Sequence, residues 1–575
     1  MKNQEIAQIF YEIADLLEMK KVQWKPQAYR RAAKFLETLS KDIEEIYKKG
    51  GIKALEDLPA IGEGLAKKII QYIETGKINE LEKLRKSIPE GVHKLMEIES
   101  IGPKKAMLLY KKLKIKNVKD LEQAIKKHKI KRLSNFGEKT EENIAQGIEM
   151  FKKGKERTLL GDMLPIAESI VNEIKKIKVV DKISLAGSLR RMNETIGDID
   201  ILVTSSNPRI VMDKFTTLPQ ISKVLAKGDT KSMIILKPNI QADIRVLAKD
   251  EFGSALQYFT GNKEHNIKTR EIAIKKELKL SEYGLFKKSG QRIAGRTEEE
   301  IYKKLGLPYI EPELRENHGE LEAAKRGKLP KLIDYNDIKG DLHIHTKYSD
   351  GDNTLEEMAK ATMALGYEYI CITDHGSKIL VANGLNEEKL LKQIEEIKKL
   401  NKKFKGFKIL SGCEVDILSD GSLNFSDEIL KKLDIANVAV HSGFKSSESV
   451  MTNRIIKALE NPYVDILLHP TGRLLNKRPP YKLDMEQIFD VAQEKKKILE
   501  INCFKSRLDL KDIYIKSAIE HNIKLSLGTD SHNIDHLKFM RLGIAQARRG
   551  WAEKKDIVNT LNLKQLPKVF RKMKE

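Results

Sequence analysis

Residues 184–203, SLAGSLRRMNETIGDIDILV, restrict the possible folds of this chain more than any other stretch. Gly187-Ser188 would end one strand and open a short helix, and the apolar run at the end of the stretch would form the next strand. Because side chains alternate between the faces of a strand, Asp198 and Asp200 project together from one face. Taken alone, this pair fits two solvated aspartates at a strand edge. A cation between the carboxylates would stabilise both charges, which predicts a Mg²⁺ site.

The neighbouring residues extend this pair to a nucleotide site. Backbone N–H groups at the helix start, with Arg190 and Arg191 behind them, suit the oxygens of a triphosphate. Gly197 turns the chain into the aspartate strand, and Asp243 adds a third carboxylate from the alternating stretch 239–247. Three carboxylates holding two metal ions could activate a 3′ hydroxyl and stabilise the leaving pyrophosphate. The full pattern, G-S-x(8)-G-D-x-D, therefore favours a metal site.

This pattern resembles the palm of a family X DNA polymerase. The resemblance implies that Asp198, Asp200 and Asp243 hold Mg²⁺ or Mn²⁺ and carry the catalysis. It assigns contacts with dNTP and DNA to Gly187, Ser188, Arg191, Gly197, Tyr258, Phe259, Gly261, Asn266 and Arg270. In the family the Tyr-Phe step crowds a ribose 2′-OH, and the helix face after it reaches the minor groove of the nascent base pair. Lys263 replaces an acidic residue that is common in the animal repair enzyme, which leaves the nucleotide affinity open.

The charge of the chain predicts a polyanionic partner. The formal net charge is +23, and no stretch approaches the ~18 apolar residues of a membrane-spanning helix, so we expect nucleic acid and no membrane. The N-terminal stretch, 1–17, has the pattern of an amphipathic helix rather than of a signal peptide. Cys371, Cys413 and Cys503 lie in apolar strand-like runs, which indicates buried thiols in a reducing cytoplasm. We expect the protein to be cytoplasmic and associated with the nucleoid.

A weak repeat punctuates the helical first 150 residues, at 58–69, 98–109 and 133–144. In each copy a glycine precedes a helix, which would permit a tight turn and let the N–H groups of the helix approach a DNA phosphate. One such turn is usually a matter of helix packing, whereas three in a basic segment favour sequence-independent binding of the DNA backbone. The repeats resemble helix-hairpin-helix (HhH) motifs. The glycines assigned to the DNA backbone are Gly62, Gly64, Gly102 and Gly137.

The same resemblance implies a catalytic role for Lys68. Relatives that remove a 5′-deoxyribose phosphate form a Schiff base through a lysine after the first hairpin, and Lys68 aligns with it. A supporting lysine of those relatives is Gly64 here. Lysines are common in this chain, so a solvated or phosphate-contacting Lys68 is the competing interpretation.

The second half of the chain alternates strand-like and helical runs, as in a parallel (βα) barrel. Seven strands are predicted, at 341–345, 369–374, 408–413, 435–440, 464–469, 498–502 and 523–528. Residues of the types that bind metals lie at or just after the strand ends, where such barrels carry their chemistry. They are His343, His345, Asp350, His375, Glu414, His441, His469, Asp530 and His532.

These residues predict a cluster of two or three divalent ions. A lone histidine at a strand end is usually structural, but six of the eight histidines after residue 340 lie at strand ends. Nitrogen and oxygen ligands without a thiolate suit Zn²⁺, Mn²⁺ or Fe²⁺, and the sequence does not choose among them. The ligand series H-x-H, T-D-H, E, H, H, D-x-H resembles the PHP (polymerase and histidinol phosphatase) domain.

Together the two resemblances cover nearly the whole chain and imply a bacterial or archaeal family X polymerase with a PHP domain. They imply gap filling in base excision repair or end joining, a metal-dependent 3′–5′ exonuclease, and AP endonuclease or 3′-phosphatase activity. The implied partners are gapped or primer–template DNA and dNTPs, and we expect a monomer.

The predicted fold class is a multidomain α+β and α/β chain. Its domains are a helical lyase-like HhH domain (1–85), an HhH fingers domain (86–152), a nucleotidyltransferase palm (153–249), a thumb (250–316), a linker with one short helix (317–336) and a PHP distorted (βα)7-type barrel (337–575). Two other functions stay open at this stage. One is an untemplated nucleotidyltransferase fused to a small-molecule phosphatase, and the other is a non-catalytic DNA-end scaffold.

Overall fold

The computed structural model describes residues 2–20, 22–38, 43–87, 92, 95–98, 101–133, 136–152, 157–237, 240–376, 383–570 and 573. Residues 99–100, 134–135 and 239 of the predicted motifs lie outside the described residues. The chain divides into two compact units, Met1–Glu156 and Arg157–Glu575.

The first unit is helical throughout its described residues, as the apolar spacing predicted. Its helices are Lys2–Met19, Lys25–Thr38, Ile43–Glu56 (kinked at Gly51), Glu63–Thr75, Asn79–Lys86, Pro103–Leu113, Val118–Lys126 and Glu138–Lys152, with a 3₁₀ turn at Leu95–Glu97. One buried apolar cluster extends from Ile6 to Ile148. The boundary predicted at residues 85 and 86 therefore falls inside a shared core.

The palm region opens the second unit with a five-stranded sheet. The strands of the whole palm region are β1 (Thr158–Leu159), β2 (Val180–Leu185), β3 (Thr195–Ile196), β4 (Asp198–Ser205), β5 (Ile221–Lys227), β6 (Lys231–Leu236) and β7 (Ile240–Leu247). Its helices are Leu160–Lys175, Gly187–Arg190 and Pro208–Phe215. The sheet order is β2-β4-β7-β6-β5, and β1 pairs with β3 apart from it. β4 and β7 are parallel neighbours, so the two predicted aspartate strands lie side by side.

The thumb and the predicted linker form one packed region. The thumb contains helices Phe252–Thr260, Lys263–Lys275 and Glu298–Lys304, strands β8 (Leu278–Ser281), β9 (Gly284–Lys287) and β10 (Arg292–Ala294), and a 3₁₀ turn at Pro312–Leu314. The linker has its one short helix, Glu320–Lys325, as expected. Leu321 of this helix belongs to the apolar cluster of the thumb, so the segment is part of the thumb core.

The last part of the chain is a seven-stranded parallel barrel. Its strands are β11 (Gly340–Ile344), β12 (Tyr369–Ile372), β13 (Lys408–Asp416), β14 (Ile435–Ala439), β15 (Ile466–Leu467), β16 (Ile498–Asn502) and β17 (Leu525–Gly528), in sequential order. Its helices are Leu355–Ala364, Glu387–Asn401, Asp427–Leu430, Glu448–Glu460, Met485–Glu494, Asp512–Glu520 and Met540–Arg549, and its 3₁₀ helices are Ile534–Phe539, Lys554–Asp556, Val558–Thr560 and Leu566–Lys568.

All seven predicted barrel strands are present. A parallel bridge between Ile344 and Ser531 joins the two ends of the sheet and nearly closes the barrel. β13 is longer than predicted because its pairing with β14 continues from Gly412 to Asp416. Glu414 therefore lies within the strand rather than just after it.

The palm and the barrel pack against each other within the second unit. One apolar cluster includes residues of both regions. A Cβ atom at Gly161 of the palm would lie 2.9 Å from Cδ1 of Leu542 in the barrel. Arg473 of the barrel donates to both carboxylate oxygens of Glu194, at 2.7 and 3.1 Å. The barrel thus supports the loop that connects the short Gly187–Arg190 helix to β4.

Candidate active sites

The three palm carboxylates meet at one end of the sheet. Asp200 of β4 is paired in register with Asp243 of the parallel strand β7, and Asp198 begins β4 on the same face as Asp200. Ile199 and Ile201 point the other way and are buried. Burial and the negative charges of Asp198 and Asp243 raise the pKa of Asp200 to about 7. Hard oxygen ligands in such mutual repulsion fit a divalent cation.

Gly187 lies against this cluster. Its φ angle is +61°, and a Cβ atom on it would lie 2.6 Å from Oδ2 of Asp200. Both the backbone conformation and the space therefore require glycine. The backbone N–H of Ala186 donates to the carbonyl of Asp200 at 2.9 Å, which fixes this loop to β4. Ser188 follows in the first turn of the short helix, as predicted, and Gly197 is exposed just before β4.

The two arginines behind Ser188 contact the thumb. Arg190 Nη2 lies 2.6 Å from Glu298 Oε2, and Arg191 Nε lies 2.7 Å from Glu316 Oε1. Arg191 Nη1 also donates to the carbonyl of Thr260 at 2.7 Å. The sequence predicted that these arginines face a triphosphate. In this conformation their guanidinium groups hold the thumb instead, so phosphate binding by Arg191 stays a prediction.

The predicted sugar-side residues lie at a helix end held by Asn266. Tyr258 and Phe259 lie in the last turn of helix Phe252–Thr260, with their rings edge to face at 5.2 Å. Asn266 Nδ2 donates to the carbonyls of Tyr258 (2.6 Å) and Gly261 (3.1 Å). Arg270 is one turn further along the next helix. Asn266 thus fixes the turn here, and its contact with a base pair stays a prediction.

The nine barrel residues form one cluster at the predicted mouth. Three overlapping groups bring ligand atoms within 4.8 Å of one another: His345, Asp350, His375 and His532; His343, His345 and Asp530; His375, Glu414 and His441. His469 Nε2 lies 2.8 Å from Glu414 Oε1. The structure therefore brings together every barrel ligand that the sequence proposed.

The donor atoms of this cluster fit metal ions better than they fit one another. His375 Nδ1 is 2.9 Å from Glu414 Oε2, yet both atoms are buried without a hydrogen-bond partner among the described residues. His345 Nδ1 and His441 Nε2 are likewise buried and unpartnered there. Burial and the neighbouring His532 and His375 lower the pKa of His345 to about 3, so it is neutral, as a ligand must be.

Two carboxylates that orient the histidines were not predicted from the sequence. His343 Nδ1 lies 2.7 Å from Glu500 Oε1, and His441 Nδ1 lies 2.7 Å from Asp416 Oδ1. Each contact fixes a ring so that its other nitrogen faces the cluster. The available signal was a charged residue inside an apolar strand run. Arg507 was also missed, and its Nε lies 3.2 Å from Asp530 Oδ2.

The hairpin glycines lie at helix starts in the first unit. Gly62 and Gly102 precede helices Glu63–Thr75 and Pro103–Leu113 with φ of −93° and −84°. Gly64 is in the first turn of its helix, and Gly137 precedes helix Glu138–Lys152. A Cβ atom at any of the four would meet nothing within 4 Å. At Gly62 and Gly102 the backbone conformation does not require glycine, and close approach of a DNA phosphate at these positions stays a prediction.

Lys68 is placed in a small polar cluster in the same unit. Its Nζ lies 3.1 Å from Glu80 Oε2, which also accepts from the Tyr29 hydroxyl at 2.7 Å. Gly64, which replaces the supporting lysine, accepts from Lys68 through its carbonyl at 3.1 Å. The neighbouring Lys67 turns to Glu63 at 2.5 Å.

Four family models match this chain. They are described as a helix-hairpin-helix domain (residues 1–78), a SAM-like helix-hairpin-helix tandem (92–149), the DNA polymerase beta thumb (255–316) and the PHP domain (341–503). Among the described residues, no helix is long and apolar enough to cross a membrane.

A relative matches over almost the full length. The DNA polymerase/3′-5′ exonuclease PolX of Bacillus subtilis (strain 168) is 38% identical over 568 residues, which cover 98% of this chain and 98% of the relative. Probable phosphatases of Thermoanaerobacter sp. (strain X514) and of Acetivibrio thermocellus are 35% and 30% identical over 204 and 201 residues. Each match covers 33% of this chain and 78% of the relative.

Proposed function

This chain belongs to the family X DNA polymerases that carry a PHP domain, and on that basis we propose that it fills short gaps in DNA and resects 3′ ends. The observation that carries the proposal is the presence of two separate ligand clusters, one of three carboxylates and one of nine barrel residues. We propose Mg²⁺ or Mn²⁺ for the palm and Zn²⁺, Mn²⁺ or Fe²⁺ for the barrel. The protein would act as a monomer at the nucleoid.

In the palm, Asp198, Asp200 and Asp243 would hold two divalent ions, which supply an activated 3′ hydroxyl and charge stabilisation for pyrophosphate. The raised pKa of Asp200, about 7, means that this carboxylate must lose its proton before it can coordinate. The N–H groups of the short helix that starts at Gly187 would bind the triphosphate.

In the barrel, the cluster around Glu414 would hold ions that polarise a phosphodiester and lower the pKa of the attacking water. Asp416 and Glu500 keep the His441 and His343 rings in place. Arg507, whose Nε lies 3.2 Å from Asp530 Oδ2, would pair with a phosphate oxygen of the substrate. The resemblance to probable phosphatases supports removal of 3′-phosphates as a second reaction of this site, and cleavage at abasic sites is a third.

The two activities should be separable by mutation. Asp200→Asn is expected to lower gap filling by about 10³-fold or more, because it removes a ligand of the palm ions, and to leave 3′ resection in Mn²⁺ intact. His441→Ala is expected to do the converse. Extension of a 5′-phosphorylated one-nucleotide gap and resection of single-stranded DNA are the measurements, with the exposed Asp213→Asn of the palm as control.

Near-normal extension by Asp200→Asn, or full resection by His441→Ala, would contradict the corresponding assignment. Extension without a template strand would instead support the untemplated nucleotidyltransferase. Metal-free, inactive wild-type protein would support the DNA-end scaffold.

We also propose that Lys68 is the nucleophile of a 5′-deoxyribose phosphate lyase. The observation that favours it is the position of Lys68 in helix Glu63–Thr75, where its amine lies 3.1 Å from the carbonyl of Gly64 in the exposed first hairpin. Borohydride should trap a DNA adduct with the wild type and with Lys67→Ala but not with Lys68→Ala. Equal trapping by Lys68→Ala would assign the reaction to another amine, and an untrapped wild type would leave Lys68 as a phosphate contact.

A further inference from the structure

A cavity of about 560 Å³ lies between two loops of the barrel. Its lining is Gly443, Phe444, Lys445, Arg478, Pro479, Pro480 and Tyr481. We call it the Phe444 pocket. Its described lining has two cationic residues, Lys445 and Arg478, and no acidic one, whereas the candidate metal cluster contains Asp350, Glu414 and Asp530. This charge suits an anionic substrate rather than a cation.

Each of the two loops that line the Phe444 pocket also carries or adjoins a histidine of the candidate metal cluster. Phe444 follows His441 by three residues, so their backbones can be no more than about 11 Å apart. On the other wall, the Tyr481 hydroxyl donates to the carbonyl of Pro470 at 2.6 Å, and Pro470 is adjacent to His469. The pocket is therefore formed by the loops after β14 and β15, at the barrel end that carries the ligands.

Two lining residues of the pocket, Arg478 and Phe444, form a cation–aromatic pair. The Arg478 guanidinium carbon lies 4.0 Å from the centre of the Phe444 ring. Its Nε and Nη2 both donate to the carbonyl of Gly472, at 3.1 and 2.7 Å, which fixes the guanidinium group. The Tyr481 ring is nearly parallel to that of Phe444, at 13°, with centroids 6.2 Å apart. All four nucleobases stack well on aromatic rings and on guanidinium groups.

We propose that the Phe444 pocket binds the 3′-terminal nucleobase of single-stranded DNA while the phosphodiester of that nucleotide lies at the barrel cluster. The proposal rests on the exonuclease activity proposed above and names the subsite that aligns its substrate. Stacking on Arg478 and Phe444 would hold the base, and Lys445 would contact the phosphate backbone. Because stacking does not read base edges, the subsite would accept all four bases.

The test compares two single-stranded oligonucleotides in Mn²⁺, one with a normal 3′-terminal nucleotide and one with a 3′-terminal tetrahydrofuran residue that lacks the base. The wild type is expected to show a KM about tenfold lower for the normal end, as one base–aromatic stack provides. Phe444→Ala should lose this preference. Its KM for both oligonucleotides should equal the KM of the wild type for the base-free end. Phe444→Tyr should keep the preference.

Arg478→Gln provides a second variant, which should also reduce the preference. Val450→Ala, an exposed apolar truncation in the helix that follows the same loop, is the matched control and should behave like the wild type. Metal content and gap filling are measured on each preparation to establish that the protein is folded.

The outcomes separate this inference from the function on which it rests. No resection by the wild type on either end would overturn the exonuclease proposal. A wild type that resects without preferring the base, or a Phe444→Ala variant that keeps the full preference, would overturn the pocket alone. The pocket would also be overturned if removal of the penultimate base raised the KM and removal of the terminal base did not.

Discussion

Gly187 and Asp200 lie too close together for any larger residue at position 187. The positive φ of Gly187 is unfavourable for an L residue by about 1–2 kcal/mol. A methyl group there would also lie 2.6 Å from the Asp200 carboxylate. The glycine of the predicted G-S motif is thus required both by its backbone conformation and by the space that the Asp200 carboxylate occupies.

Gly187→Ala is therefore expected to impair catalysis more than binding. Displacement of Asp200 by about 1 Å should lower kcat for gap filling by about 100-fold, with a change of only a few fold in the Kd for gapped DNA. Gly290→Ala of the thumb is the matched control, because Gly290 has a similar positive φ of +83° but its Cβ would meet nothing within 4 Å. Single-turnover extension is the measurement, and normal kcat in Gly187→Ala would contradict the close-packed assignment.

The hairpins show a different use of glycine. The sequence suggested that glycine permits a tight turn, but Gly62 and Gly102 have φ values open to any residue. The unusual φ of the first hairpin is at Ala60, at +67°. The open space beside each glycine would let a phosphate approach the N–H groups at the helix start.

Replacing Gly62 and Gly102, two of the hairpin glycines, should lower the DNA affinity with little change in the stability of the fold. Gly62→Ala combined with Gly102→Ala should change the free energy of unfolding by no more than about 0.5 kcal/mol. It should weaken DNA binding by about tenfold, because two methyl groups would obstruct phosphate approach.

Gly76→Ala, at the other end of helix Glu63–Thr75, is the matched control for that pair. Gly76 caps the helix with φ of +69°, so its replacement should destabilise by about 1 kcal/mol without affecting DNA affinity. Urea unfolding and fluorescence anisotropy are the measurements. Unchanged affinity in the double variant would show that these turns do not contact the backbone of DNA.

The barrel and the polymerase region are joined by buried charges. Arg549 of the barrel contacts Glu316 (2.9 Å), Asp512 (2.5 Å) and the carbonyl of Arg191 (2.9 Å). Although burial acts against ionisation, Arg549 and Arg191 lower the pKa of Glu316 to about 2. Glu316 is therefore charged at neutral pH and depends on both arginines.

Removing this buried partner should destabilise the second unit. Arg549→Ala is expected to cost about 3–5 kcal/mol in the free energy of unfolding, because it removes the cation paired with buried Asp512 and leaves Glu316 with Arg191 alone. Lys505→Ala, which removes the exposed pair with Asp162 across the same interface, should cost less than about 1 kcal/mol.

Denaturant unfolding of both variants is the measurement. Gap filling and 3′ resection should decline together on heating in Arg549→Ala, in contrast to the ligand variants, which separate them. Equal stability of the two variants would mean that the buried charges do not couple the regions.

The sequence by itself located both candidate sites. Asp198, Asp200 and Asp243 could be assigned because strand alternation fixes the face of each side chain locally. The barrel ligands could be assigned because the ends of parallel strands meet at one mouth. The seven barrel strands and the short linker helix were predicted for the same local reasons.

Only the tertiary structure decided which groups pair through space. Glu194 and Arg473 are 279 residues apart in the chain, and no periodicity connects them. The thumb contacts of Arg190 and Arg191, the packing of the predicted linker and the support of His343 by Glu500 are also long-range. Such pairings depend on the relative placement of whole segments, which hydrophobic packing between distant residues sets, so a local pattern of sequence contains no signal for them.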